Sequence, residues 1–205
     1  MVRSLLCLAL LAGATVPAGC SSGDDHQVAV DAVRQAASGG KPATCPVGFD
    51  VPGALRTAGV DRPVTPDAVD VEVSKTGTPA ADPIAAQQNG MSALDAATGA
   101  YLECGYQVGG QALTVRLVAT RAKGAMALLA PQLQRDARLA VDDLRAFLDT
   151  KPGPGEVEVV GGSVAVGGLA ATGGDAALMV TSEAPELRDD ALHTAAGALL
   201  GQVRF

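Results

Sequence analysis

The sequence predicts an α+β fold, in which an antiparallel sheet of hairpins has helices packed on one of its faces. Residues 100–120 place apolar residues at alternate positions on either side of Gly109-Gly110, and Val157/Val159 and Val164/Val166 flank Gly161-Gly162 in the same way, which is the pattern of a hairpin. The segments between and after them repeat apolar residues at intervals of three and four, the spacing of one helix face. Strand pairs interleaved with helices are typical of an α+β domain. The chain has 205 residues, 48% of them apolar and 18% charged, which suits one globular domain.

The first residues have the layout of a secretory signal followed by a lipid attachment site. Arg3 precedes the unbroken apolar run Leu5–Ala12, which is too short to span a membrane. The sequence Ala18-Gly19-Cys20 resembles the lipobox of bacterial lipoproteins, with Pro17 at the position where that motif usually has Leu. The resemblance implies that residues 1–19 are a signal peptide and that Cys20 is lipidated and becomes the first residue of the mature chain. It predicts a protein anchored by its lipid on the extracytoplasmic face of the cell membrane.

The charge of the chain limits its partners. Cleavage before Cys20 would leave 186 residues and, because Arg3 is lost, change the formal net charge from −7 to −8. A chain this acidic is not attracted by its net charge to nucleic acid or to anionic lipid head groups. We therefore expect no nucleic-acid partner, and membrane contact through the lipid on Cys20.

Residues 20–44 are predicted to be a lipidated tether that leads to a globular domain over residues 45–205. Glycines and a proline near its end mark a break in structure. Within it, Val30, Val33 and Ala37 have helical spacing. This segment is compatible either with a short helix or with disorder throughout.

Helix-capping residues and the alternation of apolar and polar residues indicate the first elements of the domain. Asp50-Val51-Pro52 is typical of a helix start, and Gly59 ends that short helix. Val69–Ser74 alternates apolar and polar residues and predicts a half-buried strand. Asp82-Pro83 predicts the start of an alanine-rich helix that Asn89-Gly90 interrupts.

The hairpin over residues 100–120 is the clearest predicted element. Gly109-Gly110 forms its turn, since glycine tolerates positive φ. We expect this hairpin to be central in the sheet, with Cys104 on the core face and Arg116 on the other face.

The second half of the domain begins with helices. Pro131 must kink or restart a helix that begins near Met126. A long helix is then predicted over Leu133–Leu148, and Pro152 and the glycines beside it stop it. The 157–166 hairpin, a strand over Ala176–Thr181 and a closing helix over Pro185–Val203 follow.

Two of the remaining cysteines predict a disulfide. Cys7 is lost with the signal peptide, which leaves Cys45 and Cys104 as an even pair in an exported chain. The alternative, a metal-binding pair, has neither a CxxC spacing nor a nearby histidine in its favour.

Two glycine-containing stretches resemble catalytic motifs only in part. Gly168–Gly173 has the first spacing of a phosphate-binding loop, but Gly174-Asp175 stands where that loop requires Lys-Ser/Thr. Ser163 follows a glycine, yet Ala165 replaces the second glycine of a nucleophile elbow. We interpret both stretches as turns between short strands.

The histidines and paired acids do not form a convincing site in the sequence. His193 has Asp189 and Asp190 four and three residues before it, so a proton relay is conceivable, but a solvated helix edge is the simpler interpretation. The acids of Asp142-Asp143 point about 100° apart on a helix and do not converge on one ion. His26 lies in the predicted tether. We expect no catalytic, cofactor-binding or metal-binding residues.

The order of elements resembles small exported lipoproteins of actinobacteria that carry a widespread domain of unknown function. The matching features are Cys45 before the helix Val51–Ala58, Cys104 close to Tyr106 in the first strand of a hairpin, and the helix Pro185–Val203. The likeness covers about Cys45–Phe205. It implies an exported lipoprotein but no known activity and no catalytic residues.

These observations predict a non-enzymatic envelope lipoprotein that binds or regulates a partner protein. The alternative is a carrier of an apolar ligand or lipid, held in a cleft between the sheet and the helix Leu133–Leu148, because many small side chains could leave a cleft unfilled. A third class, a hydrolase that depends on His193, has the least in its favour.

Overall fold

The computed structural model describes residues 27–39 and 42–205, which form eight helices and eight strands. The predicted signal peptide, Cys20 and His26 lie outside the described residues. The helices and strands in chain order are β1 (Val28–Ala29), α1 (Val30–Ala37), α2 (Val51–Thr57), β2 (Val64–Val73), α3 (Pro83–Gln88), α4 (Ala93–Ala97), β3 (Gly99–Val108), β4 (Gln111–Thr120), α5 (Ala125–Leu128), α6 (Ala130–Ala137), α7 (Val141–Thr150), β5 (Val157–Val160), β6 (Val164–Leu169), β7 (Ala171–Thr172), β8 (Asp175–Ser182) and α8 (Asp189–Leu200).

Six of the strands form one antiparallel sheet in the order β2-β3-β4-β8-β6-β5, so the predicted α+β class is confirmed. Both predicted hairpins are present: β3 and β4 turn at Gly109-Gly110, whose φ angles are 57° and 86°, and β5 and β6 turn at Gly161-Gly162. The predicted strand near residue 176 is β8. It lies in the centre of the sheet, paired with β4 on one side and β6 on the other.

Helices cover both faces of the sheet, whereas we predicted helices on one face only. The helices α1, α2 and α8 pack on the inner face, and α5, α6 and α7 pack on the outer face. The physical reason is visible in β8. Leu178 and Val180 face the inner core and Ala177 and Met179 face the outer core, so both faces of this strand are apolar and both need a cover.

Within the described residues the core of the domain reaches back to Val28, well before the boundary that we predicted at Cys45. The side chains of Val28, Val30 and Val33 are at most 1% exposed and belong to the inner core. Strand β1 pairs in parallel with β7, and the helical alternative for this segment is confirmed as α1. Residues 28–37 of the segment that we predicted as a tether therefore pack with the domain, because the apolar face of α1 lies on the sheet.

The long helix predicted over Leu133–Leu148 is two helices. Helix α6 starts after Leu129 with Pro131 in its first turn, as the proline requires, and ends at Arg138, whose φ is 56°. Helix α7 begins at Val141. The left-handed backbone at Arg138 reverses the chain, and both Leu133 and Phe147 still reach the outer core from the two helices.

The predicted caps and glycine turns are present. Asp50 and Asp82 accept hydrogen bonds at the starts of α2 and α3 from the backbone N–H of Gly53 (2.8 Å) and Ala85 (2.9 Å). In the segment that resembles a phosphate loop, the Asp175 carboxylate accepts from the backbone N–H groups of Gly124 (2.7 Å) and Ala125 (2.9 Å) at the start of α5. The segment consists of the end of β6, the short strand β7 and the turns beside it, and its aspartate holds the start of α5.

Candidate functional site

The Cys45–Cys104 disulfide is present, with its two Cα atoms 5.5 Å apart, and the metal-binding alternative for this pair is wrong. Cys104 lies on the inner face of β3 and is 1% exposed, as its place in the alternating pattern predicts. Cys45 lies in the irregular segment before α2. The bond therefore joins that segment to the sheet.

The outer face of the sheet contains a polar network centred on Arg116, whose residue exposure is 7%. Its Nε donates to Glu103 Oε2 at 2.7 Å, and its Nη1 donates to Asp136 Oδ2 at 2.9 Å and to Thr181 Oγ1 at 3.0 Å. The Tyr101 hydroxyl donates to the same Glu103 oxygen at 2.6 Å. The register places Glu103 directly opposite Arg116 on neighbouring strands, while Asp136 comes from α6. The network thus connects the sheet to the helical layer.

The network keeps its groups in the ionisation states of neutral pH. Burial raises the pKa of Glu103, but the hydrogen bonds from Tyr101 and Arg116 outweigh burial, so this pKa lies below its usual value. Burial raises the pKa of Tyr101, and the hydrogen bond to Glu103 raises it further. Burial lowers the pKa of Arg116, yet the hydrogen bond and the charge of Glu103 more than compensate, and the pKa lies above its usual value. Glu103 is thus a carboxylate, Tyr101 a neutral phenol and Arg116 a cation.

An open groove of about 330 Å³ lies beside this network, where the outer face of β2 and β3 meets α6. We call it the β2–β3 groove. In its sheet wall, Asp70 lies opposite Glu103 and Glu72 lies opposite Tyr101. The residues that line the groove are Asp70, Glu72, Leu94, Tyr101, Glu103, Gln132 and Arg135.

The lining of the β2–β3 groove is rich in carboxylates and in hydrogen-bond acceptors. Within the groove and the network behind it, four carboxylates face two guanidinium groups, those of Arg116 and Arg135. Arg135 also pairs with Asp136, at 2.9 Å. Gln132 Oε1 is buried and has no hydrogen-bond partner within the described chain. This chemistry suits a cationic group that donates hydrogen bonds, such as a lysine or arginine side chain.

The space in which we predicted an apolar cleft, between the sheet and the outer helices, is filled. Met126, Leu129, Leu133 and Phe147 are at most 7% exposed and pack together on the outer face. Polar side chains predominate in the groove that remains at the edge of this layer.

The other residues that the sequence singled out lie apart from the groove. His193, Asp189 and Asp190 are exposed at the start of α8, and Asp142 and Asp143 are exposed in the first turn of α7. Acidic side chains in the first turn stabilise a helix, because their negative charge interacts favourably with the positive end of the helix dipole. Within residues 27–39 and 42–205, no group of three or more His, Cys, Asp or Glu residues is placed to hold a metal ion.

The β2–β3 groove was missed in the sequence, although a signal for it exists. The outward positions of the first hairpin and of the strand before it are polar over two successive rows, namely Asp70, Glu103 and Arg116, then Glu72 and Tyr101. An outward row of ionisable residues across three strands marks a polar surface. Gln132 and Arg135 of α6, which line the other side of the groove, have no comparable signal in the sequence, because only the tertiary fold brings them there.

Two further results bear on function. In the described part of the chain, none of the helices has the length and apolar character needed to cross a bilayer. A comparison with family models, curated proteins and solved structures found no match to this chain.

Proposed function

We propose that this protein is a non-enzymatic, lipid-anchored envelope protein that binds a cationic segment of a partner protein in the β2–β3 groove. The observation that carries the proposal is the lining of an open groove, in which the carboxylates of Glu72 and Glu103 lie beside the buried Gln132 Oε1, which has no hydrogen-bond partner within the described residues. A basic side chain that enters the groove can donate charge-assisted hydrogen bonds to these acceptors, which gives the groove a physical preference for cationic groups.

Export and anchoring are supported by the chain itself. The signal layout ends in the lipobox-like Ala18-Gly19-Cys20, and the Cys45–Cys104 disulfide is a bond that persists in oxidising compartments. The resemblance to exported actinobacterial lipoproteins points the same way.

Partner binding is favoured over the carriage of an apolar ligand by the lining of the groove. An apolar ligand would have to displace water from Asp70, Glu72 and Glu103 without offering them hydrogen bonds, which costs free energy. Tyr101, Glu103, Arg116 and Asp136 bond one another and hold α6 on the sheet. Because these groups already satisfy one another, they favour a binding role for this face over a proton-transfer role.

The anchor makes the first prediction. Replacing Cys20→Ser removes the lipidated residue and should move the protein out of the membrane fraction, either into the medium or into an uncleaved precursor, because the acidic domain is not attracted to anionic lipid. Fractionation and immunoblotting measure this. The matched control is Cys7→Ser, within the signal peptide, which should leave the protein in the membrane fraction. A cleaved Cys20→Ser protein that stays firmly in the membrane would contradict the anchor.

The groove makes the second prediction, tested by photo-crosslinking on intact cells. A benzoylphenylalanine placed at Arg135, on the groove wall, should give a discrete adduct with a partner protein. The same residue at Arg145 on α7 is the control, since both arginines are exposed (65% and 70%) and each pairs with a neighbouring aspartate. Mass spectrometry of the adduct should find lysine or arginine beside the crosslinked residue of the partner.

Charge reversal shows whether the groove itself selects the partner. In the Arg135 crosslinking background, Glu72→Lys should abolish the adduct. Glu158→Lys should preserve it, because Glu158 is also an exposed glutamate but lies on β5, at the opposite edge of the sheet. The proposal is wrong if no adduct forms at Arg135, if Arg145 yields the same adduct, or if Glu72→Lys leaves the adduct intact.

A further inference from the structure

Helix α3 is ordered without being buried. None of its six residues is buried, and Ile84 is 69% exposed. Met91, just after the helix, is 38% exposed. Hydrogen bonds to its backbone hold the segment in place. The Asp82 side chain caps the helix. In addition, Met91 N–H donates to the Ala86 carbonyl at 3.0 Å, and Ala80 N–H donates to the Ala96 carbonyl at 2.9 Å. Two large apolar side chains are thus presented to the outside on a defined backbone.

The segment around α3 is also poor in charge. Between Lys75 and Asp95 the chain carries a single charged residue, Asp82, whose carboxylate is bound to the helix that it caps. The chain as a whole is 18% charged. A surface that binds a lipid bilayer must be removed from water. This surface meets that requirement at low cost, because few charged groups on it would lose their hydration.

The register of the sheet places α3 at the end of the domain where the chain enters. Strand β2 ends and β3 begins at one end of the sheet, with Val73 opposite Ala100, and the 74–98 connection that carries α3 leaves and returns there. Strand β7 lies between the end of β6 and the start of β8, at the same end, and β1 pairs with it through Val28 and Ala171. We call this end of the sheet the entry end.

Side-chain contacts join the start of the domain to the α3 connection. The Arg121 guanidinium pairs with Asp31 of α1 at 2.8 Å and donates to the carbonyl of Gly77. Arg34, also in α1, donates to the carbonyl of Thr76 at 2.9 Å. The first helix and the connection that carries α3 therefore form one packed surface.

The chain between Cys20 and this surface is short. Because the described core reaches back to Val28, no more than eight residue steps separate the domain from Cys20, and even a fully extended chain spans at most about 30 Å over eight steps. A domain of this size is about 40 Å across. A lipid on Cys20 thus holds the entry end close to the bilayer.

We infer that the entry end is a membrane-docking surface, on which Ile84 and Met91 insert into the boundary between the head groups and the acyl chains. This inference rests on the proposed lipid anchor. The net charge of the chain opposes adsorption to anionic lipid, so the two apolar side chains act only after the anchor has brought the surface to the bilayer. Docking gives the anchored domain a defined orientation, with the opposite end of the sheet turned away from the membrane.

The test places a polarity-sensitive fluorophore on the full lipidated chain. Ile84→Cys and Val141→Cys each provide one reactive thiol, since Cys45 and Cys104 are bridged and Cys20 carries the lipid. Val141 is the matched control: it is 61% exposed and begins α7 close after Ala137, which packs against Gly161 in the β5–β6 turn at the far end of the sheet. The proteins are reconstituted in vesicles of phosphatidylethanolamine and phosphatidylglycerol, with NBD as the label.

The label at residue 84 should gain at least twofold in emission and be quenched by lipids with a nitroxide high on the acyl chain, while the label at residue 141 should show neither effect. If the protein floats with the vesicles and the label at residue 84 stays in water, docking is wrong and the anchor stands. If the chain does not float because Cys20 lacks a lipid, both proposals are overturned. If the emission per label at residue 84 instead rises with protein concentration in detergent, a second copy of the chain covers this surface, and membrane docking is overturned.

Discussion

Reducing the Cys45–Cys104 disulfide is expected to lower the free energy of unfolding by about 4 kcal/mol, the value of the chain-entropy relation for a loop of this size. The bond closes a loop over a sequence separation of 59 residues, so the unfolded chain gains much freedom when it is broken. Single domains have a total stability of about 5–15 kcal/mol. Loss of the bond should therefore remove a large part of the stability of this one.

The structure also indicates where the effect will be greatest. Cys45 lies in an irregular segment, and α2 just after it holds to the domain through Val51, Ala54 and Leu55, which are buried. Without the disulfide, the segment before α2 loses its covalent link to β3. Amide hydrogen exchange in residues 42–58 should accelerate more than exchange in β4 or β8, whose neighbours on both sides are strands of the same sheet.

Urea unfolding with and without a reductant measures the change. The control is the double variant Cys45→Ala/Cys104→Ala, whose stability should be lower than that of the wild type and insensitive to the reductant. Thiol counting on unfolded, unreduced Cys20→Ser protein should find no reactive thiol at either position. Two titratable thiols there, or an unchanged unfolding midpoint after verified reduction, would contradict the prediction.

Replacing Arg116→Met is expected to cost about 3 kcal/mol of stability, at the low end of the range for breaking a buried ion pair. The low end applies because the Glu103 side chain is 35% exposed and water partly screens its charge. The Asp136 side chain is only 13% exposed and would lose its bond to Arg116 while keeping those to Thr181 and Arg135. Urea unfolding at neutral pH gives the difference.

Two controls separate the charge from the packing. The triple variant Arg116→Met/Glu103→Gln/Asp136→Asn removes the stranded charges together with the cation and should recover part of the lost stability. Arg145→Met, which removes an exposed arginine and its pair with Asp142, should change stability by less than about 1 kcal/mol. A loss in Arg116→Met as small as that in Arg145→Met would show that the network does not hold the fold.

The pH dependence provides a further control on the same network. The pKa of Glu103 is lower in the folded protein than its usual value of 4.5, so its contribution is fully present at neutral pH. That contribution is lost as the pH falls below about 4.5 and through the folded pKa, because protonation breaks the bond to Arg116. Between pH 5 and pH 3 the wild type should therefore lose more stability than Arg116→Met, in which the cation that favours the charged form is absent.

Part of this structure follows from short stretches of sequence. Gly109-Gly110 between two alternating segments determines the β3–β4 hairpin, and Asp50 and Asp82 each begin a helix beside a proline. Alternation alone places Cys104 on the buried face of its strand. The physical reason is that turns, caps and strand faces depend on residues only a few positions apart, whose steric and hydrogen-bonding preferences act without the rest of the chain.

The long-range arrangement was decided by tertiary packing. Nothing local indicates that β8 inserts between β4 and β6, that α1 belongs to the core, or that Asp136 of α6 meets Arg116 of β4. Each of these depends on apolar area that becomes buried only when segments far apart in the chain meet. The acidic β2–β3 groove arises in the same way: β2 and β3 bring its carboxylates into two neighbouring rows, and α6, which the outer core requires as a cover, closes its other side.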